Sequence, residues 1–592
     1  MEAKDSIQAR ESAKGTTLAV LVEQQLNKGG AFLINECAAE ETFTPEDFTE
    51  EHRMIAETTR HFVDNEVVPR TDQLEQHDWQ LARDLVRQAA GLGLIGANIS
   101  AEYGGLGLDY TSGALIIENL GRSASFATTV GVQTGIGLLP IIHFGTEAAK
   151  LNYLPRLASG ELITAYALTE AGSGSDALAA RATARLSEDG THYLLNGEKV
   201  FVTNGGMADI FIVFAKVDGR KFTAFIVEAQ AGVTRGAEER KMGIRGSSTT
   251  SLVLTDAKAP RENLLGEVGM GHKIAFGILN IGRCKLGAMC VGAMKLMVHE
   301  ATRYANQRQQ FGKSISSFGA IRAKLAEMAI RTWVGESMVY RTLGILEAGI
   351  RTMESEHREP WLRAIEEYAA ECSIIKVALS EYCNYLADEM VQIYGGYGYS
   401  ADYPAERAYR DSRINRIFEG TNEINRLLVF SRLMKPAISN APEFLEESAF
   451  AEDTAPLAHE RKLLRKAKQA ALTSLRLAAQ MNQLPLAEQQ VIMLGIADTI
   501  IDTFAMESVI LRTAKLVARD AATACHMDMT GVFCSDAIQR IETTLKNTLS
   551  AIPEGDELGA VLSHQSQLPQ RNTVAARQRI AKELVKANTW KY

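Results

Sequence analysis

A change of hydrophobic period near residue 164 constrains the fold of this 592-residue chain more than any other feature. Before it, apolar residues recur at helical spacing. After it, short runs rich in β-branched and aromatic residues, such as 210–217 and 223–227, are typical of strands. The helical period then returns and holds to about Lys435. The pattern predicts a β-domain between two helical regions.

The predicted fold class is mainly α with a central β-domain and an extra C-terminal helical domain. Proline residues and an acidic run after residue 435 indicate a linker, because proline cannot continue a helix. The expected segments are a flexible leader (1–43), an N-terminal helical domain (44–163), a middle β-domain (164–268), a second helical domain (269–435), a linker (436–456) and a C-terminal helical extension (457–592).

Two local signals refine this plan. Thr44 stands three residues before Asp47, an acidic variant of the capping box, and predicts the start of the first helical region. Asn196-Gly197, within the run Tyr193–Val202, is the strongest type of short hairpin signal. It predicts two short strands joined at this dipeptide.

Composition excludes several classes of function. The net charge of -9, from 63 basic and 72 acidic residues, provides no global positive field for nucleic acid. The seven cysteines contain no CxxC pair, which indicates free thiols in a reducing compartment such as the bacterial cytoplasm. The 11 histidines form no HxxxH or HxH array, so no metal is expected. No run of about 18 apolar residues is evident, and we expect no transmembrane segment.

The tail carries two further patterns. The heptapeptide 336–342 recurs in similar form at 507–513, which suggests that the tail is a degenerate copy of part of the preceding bundle, although two amphipathic helices can match by coincidence. The basic run Arg461–Lys468 fits the solvated face of a bundle helix, and it also fits peripheral contact with anionic lipid.

The stretch 409–424 joins a carboxylate, Glu419, directly to Gly420, whose backbone bends readily. Arginines recur every third residue ahead of Glu419, at Arg407, Arg410, Arg413 and Arg416. Taken alone, this pattern describes a salt-bridged helix that ends in a turn.

The stretch nevertheless closely resembles the signature of the acyl-CoA dehydrogenases, and a second signature, Tyr166–Asp176, lies upstream in the order that family shows. The resemblance covers roughly residues 44–435, and with the helical tail it is greatest for the very-long-chain branch and its bacterial relatives. It implies a helix bundle, a β-barrel-like domain and a second helix bundle, with FAD as cofactor. Glu419 would be the base that removes the α-proton while hydride leaves for flavin N5.

The resemblance also implies a set of FAD-binding positions. Phe201 stands where many relatives have Trp, and Arg308 would face the pyrophosphate of a neighbouring subunit's FAD, so a homodimer or homotetramer is expected. The implied positions are Tyr166, Leu168, Thr169, Gly174, Ser175, Phe201, Val202, Thr203, Arg308, Gln310, Phe311, Gln392, Gly395, Gly396, Thr421, Asn422 and Glu423.

The implied substrate positions are Ser175, Asn280, Arg283, Phe418 and Gly420. A few family members carry their base beside the arginine, where this chain has Gly282, so no second base competes with Glu419. The expected reaction is oxidation of a long-chain acyl-CoA to the trans-2-enoyl-CoA, the first step of fatty acid β-oxidation, with an electron-transferring flavoprotein as acceptor. An acyl-CoA oxidase, or a catalytically silent assembly protein of the same fold, remains an alternative.

Overall fold

A computed structural model describes residues 28–353, 360–439, 455–480, 488–549 and 571–592. They form two compact units. The larger unit comprises Pro45–Leu343, Ile375–Asn425 and Val574–Tyr592. The smaller unit comprises the described parts of Met1–Thr44, Gly344–Ile374 and Arg426–Thr573. The predicted fold class, helical with a central sheet and an added helical tail, is confirmed.

The described helices have at most 13 residues before the sheet, whereas several after it are much longer. In chain order they are α1 Ala31–Ile34, α2 Glu50–Phe62, α3 Thr71–Glu75, α4 Trp79–Gly91, α5 Tyr110–Leu120, α6 Ala124–Thr134, α7 Leu139–Phe144, α8 Glu147–Ala158, α9 Gly271–Gln307, α10 Gly319–Met353, α11 Pro360–Glu367, α12 Ala369–Tyr394, α13 Pro404–Ser412, α14 Asn422–Ser439, α15 Ala458–Gln480, α16 Gln490–Ala518, α17 Ala524–Leu549 and α18 Thr573–Ala587.

The first long helix of the larger unit starts later than predicted. Thr49, not Thr44, caps α2: its hydroxyl accepts from the His52 backbone NH, and the His52 ring in turn accepts from the Thr49 NH, each at 3.2 Å. Thr44 is buried and precedes a single 3-10 turn, Pro45–Asp47. The prediction was wrong because the three residues after Thr44 close only one turn before the chain extends again.

The central sheet has eight strands. They are β1 Thr164–Ala167, β2 Thr183–Leu186, β3 His192–Thr203, β4 Ile210–Val217, β5 Lys221–Glu228, β6 Val233–Glu238, β7 Thr249–Pro260 and β8 Leu264–Leu265. The main path of the sheet runs β6-β7-β3-β2-β4-β5-β8, and β1 pairs in parallel with β4. A separate two-stranded hairpin joins β9 Gln309–Gln310 to β10 Lys313–Ser314. All eight strands of the main sheet lie within the predicted range 164–268.

The predicted hairpin at Asn196-Gly197 is wrong, because β3 runs through this dipeptide as one strand. The pairing of β3 with β7 shifts register between Leu195 and Gly197, which marks a bulge. The Asn196 side chain exchanges hydrogen bonds with Asp256 on β7 and holds the bulge in place. A Cβ at Gly197 would lie 2.8 Å from that of Ala182, so the glycine permits close packing rather than a turn.

The long helices α9, α10 and α12 carry apolar residues on nearly every side, as expected of helices buried within a bundle. The C-terminal helix α18 packs on this group. Asn306 donates to the Val585 carbonyl at 3.0 Å, and Arg577 pairs with Glu327 at 3.1 Å. The end of the chain therefore belongs to the larger unit.

The smaller unit contains the first described residues. Phe32 is buried and meets Phe504 of α16 edge to face at 4.9 Å, and the Gly30 NH donates to Glu371 at 2.7 Å. Residues 28–43 are therefore packed rather than part of a flexible leader, and residues 1–27 lie outside the described residues. The predicted linker is helical as far as Ser439 in α14, and residues 440–454 are not described.

The basic run of α15 is only partly solvated. Lys468 is buried, donates to the Asn35 carbonyl at 2.7 Å and pairs with Glu507. Within the larger unit, Glu336 likewise pairs with a lysine of the preceding long helix, Lys295. Each copy of the repeated heptapeptide thus begins with a glutamate that neutralises a lysine, which supports the hypothesis of a duplicated segment.

Two segments of the described chain are long and apolar enough to span a membrane by length and composition, contrary to expectation. They are Ala124–Phe144 and Gly271–Gln307, and 83% and 89% of their most apolar windows are buried in the fold. Helices in the core of a folded domain meet the same criterion. The expected lack of a transmembrane segment therefore stays a prediction.

Candidate active site

Glu419 lies in a tight loop just before α14. Glu419 and Gly420 both have positive φ angles, 58° and 81°, and this region costs a non-glycine residue roughly 1–2 kcal/mol. Side chains from three directions hold the loop. Arg283 Nε donates to the Glu419 carbonyl oxygen at 3.2 Å, and Lys376 Nζ and Asn425 Nδ2 donate to the Gly420 carbonyl oxygen at 2.7 and 2.8 Å. These contacts fix the direction in which the Glu419 side chain leaves the backbone.

The Glu419 carboxylate is desolvated. Its Oε2 atom is buried, and no described residue donates a hydrogen bond to it. Burial raises the pKa of Glu419 from 4.5 to about 7, although the positive charges of Arg283 and Lys376 act to lower it. A carboxylate with this pKa can accept a proton near neutral pH much better than an exposed one.

Gly282 of α9 makes room for this carboxylate. A Cβ at Gly282 would lie 2.8 Å from Glu419 Oε2 and 2.9 Å from Cδ, closer than real side-chain contacts. Position 282 carries no acid, as the sequence shows. The glycine instead lets the helix backbone approach the carboxylate closely and exclude water from it.

The carboxylate faces a cavity of about 250 Å³ within the larger unit. One part of its wall comes from the loop after β1 and from β3, and offers hydroxyl groups and glycines. Another part comes from α5, α6 and α9 and is mostly apolar, being formed by Ile117, Ala127, Gly131, Val132, Leu286 and Met289.

The structure brings many of the predicted site residues to this cavity, although they come from elements far apart in sequence. The predicted residues that line it are Tyr166, Leu168, Thr169, Gly174, Ser175, Phe201, Thr203, Arg283, Phe418, Glu419 and Gly420.

Other predicted residues lie just behind this wall. Val202 alternates with its neighbours on β3 and points into the core. Asn280 accepts a 2.6 Å hydrogen bond from Arg283 Nη1. The Asn422 amide donates to Ser380 and Glu381 and accepts from Lys376, so its side chain is fully engaged by the protein. If Asn422 contacts a cofactor, it does so through its backbone.

Thr421 and Glu423 flank Asn422. Thr421 is half-buried and caps the start of α14, and Glu423 is exposed.

The remaining predicted positions form a surface away from the cavity. The Arg308 guanidinium lies over the Tyr397 ring, 5.3 Å from its centroid. This contact joins the start of the β9–β10 hairpin to the turn after α12. Phe311, at the tip of the hairpin, is 90% exposed with φ of 53°. Gln310, Gln392, Gly395 and Gly396 are exposed on the same two elements.

Sequence reasoning missed a buried ion pair beneath the loop after β1. Lys199 Nζ pairs with Glu170 Oε1 at 2.7 Å, and Glu170 also accepts from the backbone NH groups of Arg181 and Ala182. The pair therefore fixes the loop that carries Thr169 and Ser175. Lys199 on a strand with alternating burial was the available signal, since an inward-facing lysine needs a partner.

Lys376 was missed as well. It is completely buried on α12 and bonds to the Glu419 loop. The signal was a lone lysine within the apolar run Ile374–Leu379, because a lysine on a buried helix face is rare unless it is paired.

The cavity residues fit a flavin. Phe201 exposes 66% of its surface at the cavity and offers a flat apolar face for a ring system. A Cβ at Gly174 would meet no atom within 4 Å, so the backbone there leaves room for a ligand. The buried hydroxyl of Tyr166 has no hydrogen-bond partner among the described residues, and Thr169 and Ser175 add further hydroxyls. This set supplies stacking and hydrogen bonding together.

A helical subunit with a central sheet and a carboxylate of raised pKa beside a flavin-compatible cavity fits a class of FAD-dependent oxidoreductases. Four family models match the chain: the N-terminal domain of acyl-CoA dehydrogenase (49–161), its middle domain (165–257), its C-terminal domain (269–434) and a further acyl-CoA dehydrogenase C-terminal domain (466–566). The chain belongs to the acyl-CoA dehydrogenase family, and it is an FAD-dependent enzyme of that family.

Comparison with individual proteins and structures leads to the same family. The chain is 47% identical over 555 residues to a probable acyl-CoA dehydrogenase of Bacillus subtilis, with 91% of this chain and 93% of the relative covered. It is 33% identical over 546 residues to the rat mitochondrial very long-chain specific acyl-CoA dehydrogenase, covering 85% and 80%. An acyl-CoA dehydrogenase from Bacillus anthracis, solved in complex with FAD, superposes with a TM-score of 0.92 at 47% identity, covering 95% and 100%.

Replacing Gly282 by alanine should displace the Glu419 carboxylate without unfolding the protein, because the clash involves only the end of a flexible side chain. We expect the rate of flavin reduction by acyl-CoA to fall about 10- to 100-fold, since small misplacements of a reacting group are costly. FAD content and melting temperature should stay near wild type.

Gly287→Ala is the matched control on the same helix. Its Cβ would meet only the Val339 and Ile375 side chains, at 3.3 Å or more, and Gly287 does not line the cavity. A full rate in Gly282→Ala would show that the carboxylate does not need its present position.

Proposed function

We propose that the enzyme oxidises long-chain acyl-CoA to trans-2-enoyl-CoA with Glu419 as the catalytic base. The observation that carries the proposal is the desolvated, unpaired Oε2 atom of Glu419 at the cavity wall. Within the described part of that wall, Glu419 is the only carboxylate residue. A base is required there because the α,β double bond of the enoyl product forms only if the α-carbon loses a proton while the β-carbon loses a hydride.

Two features of Glu419 suit it to the role of the base. Its carboxylate, with a pKa of about 7, holds the abstracted proton better than an ordinary glutamate. Its backbone NH has no hydrogen-bond acceptor among the described residues and is therefore free to bind the thioester carbonyl. Stabilising negative charge on that oxygen makes the α-proton more acidic. FAD, when bound, accepts the hydride that leaves the β-carbon.

Arg283 has a supporting role in this proposal. Its buried guanidinium binds Asn280 Oδ1 at 2.6 Å and the Glu419 carbonyl oxygen at 3.2 Å. The guanidinium thus keeps the loop in its strained conformation and prevents the pKa of Glu419 from rising further. We assign Asn280 to the orientation of Arg283, with Phe418, Gly420 and Ser175 against the acyl thioester.

We assign the FAD ring to the wall formed by Tyr166–Ser175 and Phe201–Thr203, for the reasons of fit given above. The predicted positions on the second surface would serve the FAD of a neighbouring subunit. Support comes from Phe311 and Tyr399, which are 90% and 89% exposed and close to Arg308 in sequence or structure, as expected of residues that a second copy covers. We therefore propose a homo-oligomer.

Electrons would pass to an electron-transferring flavoprotein, as the family resemblance implies. We place the enzyme in the bacterial cytoplasm. Its seven cysteines are all within the described residues, and each is a free thiol, as in proteins of reducing compartments.

The preference for long chains rests on the inner part of the cavity. Its wall is mostly apolar, with Thr128 and Lys285 as polar members, and a Cβ at Gly131 of α6 would meet no atom within 4 Å. Burial of each further methylene of an acyl chain on such a surface contributes roughly 0.8 kcal/mol. Phe418, next to the base, adds an apolar contact.

Glu419→Gln should bind FAD normally and lose flavin reduction by about 100- to 10,000-fold, because the amide keeps the shape of the side chain but cannot accept the proton. Anaerobic bleaching of the flavin on addition of acyl-CoA measures the effect. Glu188→Gln, which alters an exposed carboxylate in the turn between β2 and β3, is the control and should reduce at the normal rate. Near-normal reduction in Glu419→Gln would move the base elsewhere.

Gly131→Leu should shorten the range of acyl chains that the enzyme accepts. The added side chain enters the open space beside α6, so reduction by a 16-carbon acyl-CoA should fall about 10-fold or more while a 6-carbon acyl-CoA reacts nearly as before. Gly91→Leu is the control, because Gly91 is also helical with no atom within 4 Å of a Cβ, and it lies outside the cavity wall. Equal loss with both chain lengths would refute the assignment.

A further inference from the structure

Lys376 is a buried cation without a carboxylate partner. Its side chain is completely buried on α12. Its Nζ donates to two neutral oxygens, the Gly420 carbonyl and Asn422 Oδ1, each at 2.7 Å. Among the described residues no carboxylate lies within ion-pair distance of it. An ammonium group is costly to bury, so its retention here needs an explanation.

Both acceptors belong to the loop that carries Glu419. Gly420 follows the base directly, and Asn422 begins α14. The Asn422 amide is itself anchored on α12, since its Nδ2 donates to Ser380 Oγ at 3.0 Å and Glu381 Oε1 at 2.9 Å. Lys376 therefore binds the loop directly through Gly420 and indirectly through Asn422.

The loop requires such an anchor because its backbone is strained. Glu419 and Gly420 are consecutive residues with positive φ, and without external contacts the glutamate would relax to an ordinary conformation. Hydrogen bonds from an ammonium group to carbonyl oxygens are stronger than those between neutral groups. Lys376 can thus supply both the geometry and the charge that this loop needs.

We propose that Lys376 is a positioning residue for the reaction: it holds the Glu419 loop through Gly420 and Asn422, and its positive charge stabilises the ionised form of the base. The inference rests on the proposed role of Glu419. The sequence motif of the loop does not include Lys376, which lies 43 residues before Glu419 on another helix.

The charged and titratable groups around Glu419 come from several elements. Arg283 on α9 and Lys376 on α12 both lower the pKa of Glu419, and burial raises it. Burial likewise lowers the pKa of Lys376 to about 7, whereas Glu419, Cys290 and Glu381 act to raise it and Arg283 acts to lower it further. The Tyr166 hydroxyl on β1, whose pKa is well above 10, is neutral.

The sign of the pH effect follows from this arrangement. Only ionised Glu419 can accept the proton, so the rate of flavin reduction rises with pH through the pKa of Glu419. Loss of the Lys376 charge removes an influence that lowers this pKa. The acid limb of the profile should therefore move to higher pH, by less than the roughly 1–3 units that a permanently charged neighbour produces, because the pKa of Lys376 is itself about 7.

The test compares Lys376→Met with Lys376→Gln in the full-length, FAD-loaded enzyme, using anaerobic flavin reduction by one long-chain acyl-CoA at a series of pH values. Both variants should show the shifted acid limb. At the high-pH plateau the methionine variant should be slower by about 10- to 100-fold, because the loop is no longer held. The glutamine variant should lose less, because its amide can still donate to the Gly420 carbonyl. FAD content should be normal in both.

Lys468→Met is the matched control. It removes another buried lysine, one that binds Asn35 and Glu507 in the smaller unit, and it should lower the melting temperature without moving the acid limb. An unshifted acid limb in both Lys376 variants would overturn the inference. Failure of both variants to fold or to hold FAD would overturn it also, because Lys376 would then serve the core rather than the loop.

Glu419→Gln separates this inference from the proposal beneath it. If Glu419→Gln still reduces the flavin, Glu419 is not the base and both statements fail. If Glu419→Gln is inactive while the Lys376 variants keep the wild-type rate and pH profile, only the role of Lys376 fails.

Discussion

A carboxylate at a cavity wall, with a buried oxygen that no described residue bonds, is the constraint on which the rest of this structure depends. Burying Glu419 disfavours its charged form and brings its pKa to about 7. The positive charges of Arg283 and Lys376 limit this rise in pKa. The hydrogen bonds of both side chains go to backbone carbonyl oxygens of the loop rather than to the carboxylate oxygens. The carboxylate therefore ionises near neutral pH, and no salt bridge within the described residues neutralises it. A salt bridge would have made it a poor base.

The fold supplies this environment from parts far apart in sequence. Helix α9 brings Arg283 and the small Gly282, α12 brings Lys376, and the loop before α14 brings Glu419, the base that we propose. The sheet provides the opposite wall, where the buried pair of Lys199 and Glu170 shapes the loop with the hydroxyl groups. Side chains from three helices thus hold a short loop whose own backbone preference opposes its conformation.

The hydrophobic period predicted the order of helical and β regions, because period is a local signal, and the family resemblance predicted part of the cavity wall. Prediction from the sequence failed where tertiary contacts decide. Asn196-Gly197 has the dipeptide of a hairpin, but its glycine serves close packing on Ala182. Lys376 and Lys199 escaped notice because a single lysine in an apolar run shows its partner only in three dimensions. Residues 28–43 were predicted to be part of a flexible leader, yet Phe32 is buried against Phe504 in the smaller unit.

The most direct test of this account is the pH dependence of anaerobic flavin reduction in the wild-type enzyme mixed rapidly with a long-chain acyl-CoA. The rate should rise with pH and reach half of its maximum near pH 7, because only ionised Glu419 can take the α-proton. A midpoint near 4.5, the ordinary value for glutamate, or a rate independent of pH would contradict the claim that burial of this carboxylate prepares the base.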